Sequence, residues 1–335
     1  MNKNLAICAA FVATLGLTGC GPTYVNVPYL KPATIAKMKS EEVIATTKFK
    51  NDEVGLSPKV EAFIVSTKVN GQPYFKVVNR SALDQAIKEQ GLQSTKYIDS
   101  KTAVKVGKLT GATKIIIGNV SSSDVEKGHY TYTERICEQR YKSGECASYY
   151  NKVYSCNTNK GTLSATMNLI DVKTGINIHA ENVTESLNSD SCKNGFITKE
   201  QTLSQMADNA AERFVSKLSP RKVNNYVVLM DEIESIEVKK EQNEYMKNSV
   251  TYIEQGRSDK ANSLLKKLDK ELNGRSYEVI YNIAITEQAL GNLEKAKELL
   301  TKADSVCTKS DKNLNNAILN IDKIIEQEKA AKKQM

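Results

Sequence analysis

Lys114-Ile115-Ile116-Ile117-Gly118-Asn119-Val120 is apolar at successive positions and lacks the in-out alternation of a half-exposed strand. Such a run fits a strand covered on both faces. Two helical patterns precede it. Ser81-Ala82-Leu83-Asp84 has the form of a capping box and opens a helix that runs to about Gln90 and ends at Gly91. The second helix, Ser100 to Leu109, turns Ala103, Val104, Val106 and Leu109 inward and closes at Gly111. Further upstream, Val43 to Phe49 alternates as a strand, and Ser57-Pro58 starts a short helix that reaches Lys68. Asn70-Gly71 then makes a turn before a strand from Tyr74 to Asn79. Downstream, Thr162 to Val172 and Ile176 to Ser186 pair around Lys173-Thr174-Gly175. A helix from Thr198 or Lys199 to Leu218 follows, with Leu203, Met206, Ala207, Ala210, Phe214 and Leu218 on one face. Strands and helices interleaved in this way predict an α/β domain, a mixed sheet with packed helices, over residues 41–220.

The amino terminus has the parts of an export signal: Lys3 near the start, an apolar run from Leu5 to Leu17, then Leu17-Thr18-Gly19-Cys20. The run is shorter than the ~20 residues that a spanning helix requires. The last four residues resemble the lipobox of bacterial lipoprotein precursors, which implies a signal peptide over 1–20 and acyl chains on Cys20. Lipid on Cys20 would attach the protein to a membrane. Gly21 stands where lipoproteins retained in the inner membrane carry Asp, so the resemblance implies the outer membrane and a Gram-negative periplasm. Residues 21–40, with Pro22, Pro28 and Pro32, read as a tether.

Seven cysteines occur. Cys8 leaves with the signal and Cys20 carries lipid, while Cys137, Cys146, Cys156 and Cys192 cluster in a chain bound for an oxidising compartment, where two disulfides are expected. No Cys-x-x-Cys pair is present, which argues against a metal site. Three pairings are open, and Cys137 with Cys146 across a hairpin and Cys156 with Cys192 between neighbouring strands is the favoured one. Cys307 is left as a buried thiol.

The back half repeats. Gly256 and Gly291 stand at equivalent positions, as do Ala261 and Ala296, and Leu265 and Leu300. Each glycine separates two helical patterns, and a small residue then a large one follows it. This is the alternation of tetratricopeptide repeats, in which Ala admits a close neighbour and Leu fills the adjoining gap. Residues 231–335 are therefore expected to form an all-α tetratricopeptide-like module of about two repeats, ~244–270 and ~277–305, with a capping helix from Lys312 to about Lys333. Tyr245, Tyr252, Tyr277 and Tyr281 are expected in its core rather than in a ligand box.

An ordered set of segments resembles the CsgG-like family of curli-assembly lipoproteins and their relatives. It comprises Tyr74 to Asp84, Glu89-Gln90, Ala103 to Ala112, Ile115 to Val120, and Leu169-Ile170-Asp171-Val172-Lys173-Thr174-Gly175. The resemblance covers residues 42–218 and implies a periplasmic domain. It further implies that some relatives form oligomeric secretion channels, whereas others regulate cell-wall synthases or support flagellar structures. This chain departs from the channel members over Ser121 to Gly161, where Asp124, Glu126, Lys127, Glu134, Arg135, Glu138, Arg140, Lys142 and Glu145 fall on both parities. A membrane-crossing hairpin requires one apolar face over ~9–11 residues. Residues 121–161 are therefore expected to be a disulfide-stapled hairpin insert in water, and the short stretch between Ala180 and Lys199 is charged as well. Its tyrosines, among them Tyr130, Tyr132, Tyr141, Tyr149, Tyr150 and Tyr154, form either a contact surface or the cover of a small satellite core.

Positions 231–335 hold 18 basic and 19 acidic residues, against 29 and 20 in positions 1–230, so the positive charge lies in the front part of the chain and the back is neutral. No aromatic RNA-binding cluster or zinc-finger spacing accompanies that charge, which excludes the usual nucleic-acid binders. Imidazole chemistry is limited to His129 and His179, and no HExxH, GxSxG, P-loop or GxGxxG pattern occurs. The residues point to a non-enzymatic outer-membrane lipoprotein without cofactor or metal, a scaffold or assembly factor for a protein of the periplasm or outer membrane. Two alternatives stand beside it: a subunit of a homo-oligomeric secretion channel, and an activator of a cell-wall synthase.

Overall fold

The computed structural model describes residues 22–35, 38–89, 91, 100–193 and 195–335; Cys20 lies outside them. The backbone divides into two compact units, one of the described residues in 30–223 and 326–335, the other of residues 22–29 and 224–325.

The first unit is the mixed sheet with packed helices. Strand β3 (Val43–Thr46) lies parallel to β6 (Lys76–Val77) on one side and to β7 (Lys114–Arg140) on the other; β8 (Cys146–Asp171) and β9 (Asn177–Asp190) continue antiparallel, giving the order β6-β3-β7-β8-β9. The isoleucine run behaves as a doubly covered strand should. Ile116 and Val120 enter a core with α1 (Leu56–Ser66) and α4 (Lys199–Val215), while Ile115 and Ile117 enter a second core with α2 (Arg80–Glu89) and α3 (Ser100–Thr110). Two glycines permit close approach. A Cβ on Gly161 would lie 2.5 Å from a methyl of Thr202 on α4, and one on Gly107 would lie 2.5 Å from a methyl of Val172. Where β4 (Lys68–Val69) turns back into β5 (Gln72–Pro73), Asn70 and Gly71 both have positive φ, the pairing of a two-residue hairpin turn.

Several local expectations are corrected. Helix α2 is capped by Asn79, two residues before the Ser81 expected there: its Oδ1 accepts from the Ser81 amide at 2.8 Å and the Ser81 hydroxyl at 2.6 Å. Leu109 is 53% exposed, because the inward residues of α3 are Ala103, Val106 and Gly107, and a step of two from Gly107 leaves that face. The segment read as a tether is built into both units. Ala33, Ile35 and Met38 are buried in the first, and β2 (Tyr29–Lys31) pairs with β10 (Arg221–Val223). In the second, β1 (Tyr24–Asn26) pairs with β11 (Tyr226–Val228), and Val27 is buried. The prolines suit this extended course, and the apolar residues between them give it something to bury. The carboxyl terminus belongs to the first unit too, where the Tyr74 hydroxyl donates to the Gln334 carbonyl at 3.0 Å and the Ala33 amide to the Gln334 side chain at 2.8 Å.

The insert is the outer part of one long hairpin. Strands β7 and β8, 27 and 26 residues long, run unbroken out of the sheet, and beyond the Thr158 to Asp190 pairing they form a two-stranded ribbon. Two-stranded ribbons are marginal alone in water. This one is tied at its tip by Cys137–Cys146 and at its base by Cys156–Cys192, with sequence separations of 9 and 36. Closing the longer loop restricts the unfolded chain more, about 4 kcal/mol against about 3, and fraying at the tip leaves the sheet intact. Hence the Cys156→Ser/Cys192→Ser variant is expected to lower the thermal midpoint more than Cys137→Ser/Cys146→Ser. Circular-dichroism melts in the reverse order would contradict this placement of the staples.

The second unit is helical: α5 (Lys240–Glu254), α6 (Ser258–Glu271), α7 (Tyr277–Ala289), α8 (Leu293–Val306) and α9 (Lys312–Lys332), the last belonging to this unit as far as Ile325. The helices pair as α5 with α6 and α7 with α8 in tetratricopeptide-like fashion, with Gly256 and Gly291 in left-handed turns after α5 and α7. Ala261, Leu265, Ala296 and Leu300 are all buried. Helix α7 is the hub, buried at every position from Glu278 to Gln288.

Candidate functional site

Three of the ribbon's tyrosines are engaged with one another. Tyr130 and Tyr132 stack at 6.4 Å between centroids, and Tyr132 and Tyr154 at 5.0 Å. Lys193 stands over Tyr130 and Lys152 over Tyr154, so the column is closed by a cation at each end. Below it, the Tyr130 hydroxyl donates to Asp190 at 2.8 Å, a bond that raises the phenol and helps to hold the carboxyl low, beside the Cys192 amide that Asp190 also accepts. These three tyrosines serve the ribbon itself. Nearer the tip, Tyr141, Tyr149 and Tyr150 are exposed, with Arg135 over the Tyr149 ring. Cys156, Asp190 and Cys192 form a cluster of metal-ligand residue types among the described residues, but the two sulfurs are bonded to each other and offer no thiolate.

The helical unit holds the more receptive site. A cavity of about 310 Å³ opens between β11, α7 and the first half of α9. Its walls are amides: Asn225 at the start of β11, Gln288 on α7, and Asn313, Asn316 and Asn320 at i, i+3, i+7 on α9, with Lys312 at its mouth. Gln288 is 7% exposed, and its Nε2 has no acceptor among the described residues. Tyr281, expected in the core, is there; its hydroxyl donates to the Val228 carbonyl at 2.8 Å, and burial pushes the phenol above its ordinary value. Tyr245 is 41% exposed, contrary to the core expectation, because it sits on the outer side of α5.

Two carboxylates that sequence reasoning passed over brace α7. Glu278 accepts from the Glu234 amide (3.0 Å), the Ser235 amide (2.7 Å) and the hydroxyls of Ser235 and Ser276 (both 2.6 Å). Glu287 accepts from Lys266 Nζ at 2.6 Å, Asn292 at 2.7 Å and Asn262 at 3.2 Å, with Lys295 Nζ 3.4 Å away. In the α/β unit His179 meets Glu181 at 3.3 Å, and Glu181 also meets Arg213 and Lys217, so this carboxylate is shared among three side chains. Cys307 is half-buried, with its thiol toward the Lys309 carbonyl at 2.8 Å, rather than buried.

Among the described residues no helix is long and apolar enough to cross a membrane. No curated protein sequence matches the chain. Among solved structures, the C-terminal domain of LpoB from Salmonella enterica is 12% identical, covers 44% of this chain and 85% of its own, and has a TM-score of 0.25. Lipoprotein GNA1162 from Neisseria meningitidis is 10% identical, with coverages of 52% and 98% and a TM-score of 0.29. The PelC dodecamer from Paraburkholderia phytofirmans is 13% identical, with 58%, 97% and 0.26. At such values the assignment rests on sequence, where the profile of the curli production assembly/transport component CsgG matches residues 36–211. That match spans more than half of the 335 residues, so the chain belongs to the CsgG family.

Proposed function

We propose that this chain is a non-enzymatic scaffold of the bacterial envelope, anchored at the outer membrane by lipid on Cys20 and holding a periplasmic protein partner on its helical unit. The observation that carries the proposal is the register of β7 on β8. It sets Asp124, Glu126, Glu134, Lys152 and Lys160 on one face of the ribbon, and Lys127, His129 and Arg135 on the other. At ~2–4 kcal/mol for each Lys or Arg at a bilayer midplane, neither face suits lipid, and the ribbon belongs in water. The amide-lined cavity then offers a place for a partner. A photo-crosslinking residue at Asn316 in intact cells is expected to trap a protein, and Cys20→Ser is expected to release the chain from the membrane fraction. No adduct from Asn316 or from Tyr245 on the outer side of α5, or a Cys20→Ser variant that still sediments with membranes, would remove the basis of this reading.

The second reading, a secretion-channel subunit, is favoured by ribbon length, since strands of 27 and 26 residues exceed the ~9–11 that cross a bilayer. Rings with a lumen in electron micrographs of detergent-extracted protein would support it. Activation of a cell-wall synthase, a narrower form of the scaffold reading, requires co-purification with that enzyme.

A further inference from the structure

We propose that the cavity of the helical unit takes an extended polypeptide by strand addition to the free edge of β11, with the amide side chains of α7 and α9 gripping its main chain. The proposal rests on the scaffold reading and specifies what that scaffold holds. In the β1–β11 pair the Val27 amide donates to the Asn225 carbonyl and the Leu229 amide to the Thr23 carbonyl. The register pairs Tyr24 with Val228, Val25 with Val227 and Asn26 with Tyr226, so Val25 and Val227 share the hydrogen-bonded parity. The peptide groups of Tyr226 and Val228 therefore face away from β1, on the side where the Tyr281 hydroxyl already reaches the Val228 carbonyl. Among the described residues β1 and β11 form a two-stranded sheet, and this edge has no strand on it.

Opposite that edge, the i, i+3, i+7 asparagines of α9 present donors and acceptors along about two turns, and Gln288 Nε2 is an enclosed donor awaiting a carbonyl. A polypeptide main chain supplies alternating carbonyls and amides at the same rhythm, whatever its side chains. With no carboxylate in the lining and Lys312 at the mouth, neutral or acidic segments are favoured over basic ones. A volume of about 310 Å³ is at the small end for a ligand site, enough for a few residues of one strand and not for a helix.

The test uses the whole mature chain and two synthetic probes: a random-sequence pool of capped hexapeptides, and the same pool N-methylated at alternate amides. The plain pool is expected to shift the amide resonances of Tyr226 and Val228 and the side-chain amides of Gln288 and Asn316 saturably; the N-methylated pool is expected to leave them in place. Tyr226→Pro deletes an N–H that β1 does not use, so it is tolerated at an edge and is expected to weaken binding about tenfold or more; Tyr226→Ala keeps that N–H and is expected to weaken binding clearly less. Equal shifts from both pools, or equal losses in the proline and alanine variants with unchanged melting, overturn strand addition. Crosslinking from Tyr245, on the outer side of α5 and away from this cavity, separates the two proposals. A partner trapped there while the cavity ignores both pools leaves a scaffold that binds elsewhere, whereas a cavity that binds peptides while no position traps a protein in cells removes the scaffold.

Discussion

Glu287→Ala is expected to lower the stability of the helical unit by about 3 kcal/mol, the upper end of the cost of leaving buried hydrogen-bonding groups short of a partner. Glu287 is 2% exposed, and its carboxylate joins α6, through Asn262 and Lys266, to Lys295 of α8 and to Asn292 in the turn before it. The two lysines are about half exposed and return to water when the carboxylate goes, whereas the side-chain amide of Asn262, buried beside it, loses an acceptor. Burial by itself would raise this carboxyl, but the bonds from Lys266, Asn292 and Asn262 outweigh it and hold the pKa at about 2, below its ordinary 4.5. A folded pKa below the unfolded one means stability that is present above about pH 4.5 and lost as the pH falls toward 2. Glu287→Gln keeps the shape without the charge, so the gap between parent and variant in thermal melts is expected to be wide at pH 7 and to close near pH 2. A gap that stays constant across that range would show that the charge contributes nothing.

The legibility of this architecture tracks the range of its interactions. The isoleucine run could be recognised as doubly covered because burial on both faces removes alternation locally, and the repeat could be seen because Ala261 and Ala296, with Leu265 and Leu300, recur at one spacing. Glu278 and Glu287 could not, because an acid braced by partners distant in sequence looks like any helical surface acid; their partners are 21 to 44 residues away for the bonds to Lys266 and to the Glu234 amide. The cavity was hidden for the same reason. Asn313, Asn316 and Asn320 make a polar stripe on α9 that reads as solvated until β11 is brought against α7. The segment 21–40 misled because its prolines are equally suited to a linker and to the edge strands it forms, and composition does not report which partner lies alongside.

The second large effect lies inside the isoleucine run, at its one glycine. Phe49 is 3% exposed and lays its ring across Gly118 of β7, so closely that a Cβ there would fall 2.7 Å from two ring carbons. Phe49→Ala is expected to cost about 3–5 kcal/mol, the loss of a buried ring plus the cavity it leaves. Gly118→Val is expected to cost ~1–3 kcal/mol or somewhat more, since the ring cannot retreat through a close-packed core. In the double variant the valine occupies part of the space the ring gave up, and each change relieves the damage of the other. The two are therefore expected to be non-additive by ~1–3 kcal/mol in the stabilising direction, with the double variant melting no lower than Phe49→Ala alone. Strict additivity in a double-mutant cycle of urea unfolding would mean that ring and glycine do not share this space, and that the glycine in an otherwise branched strand answers to something other than the phenylalanine laid over it.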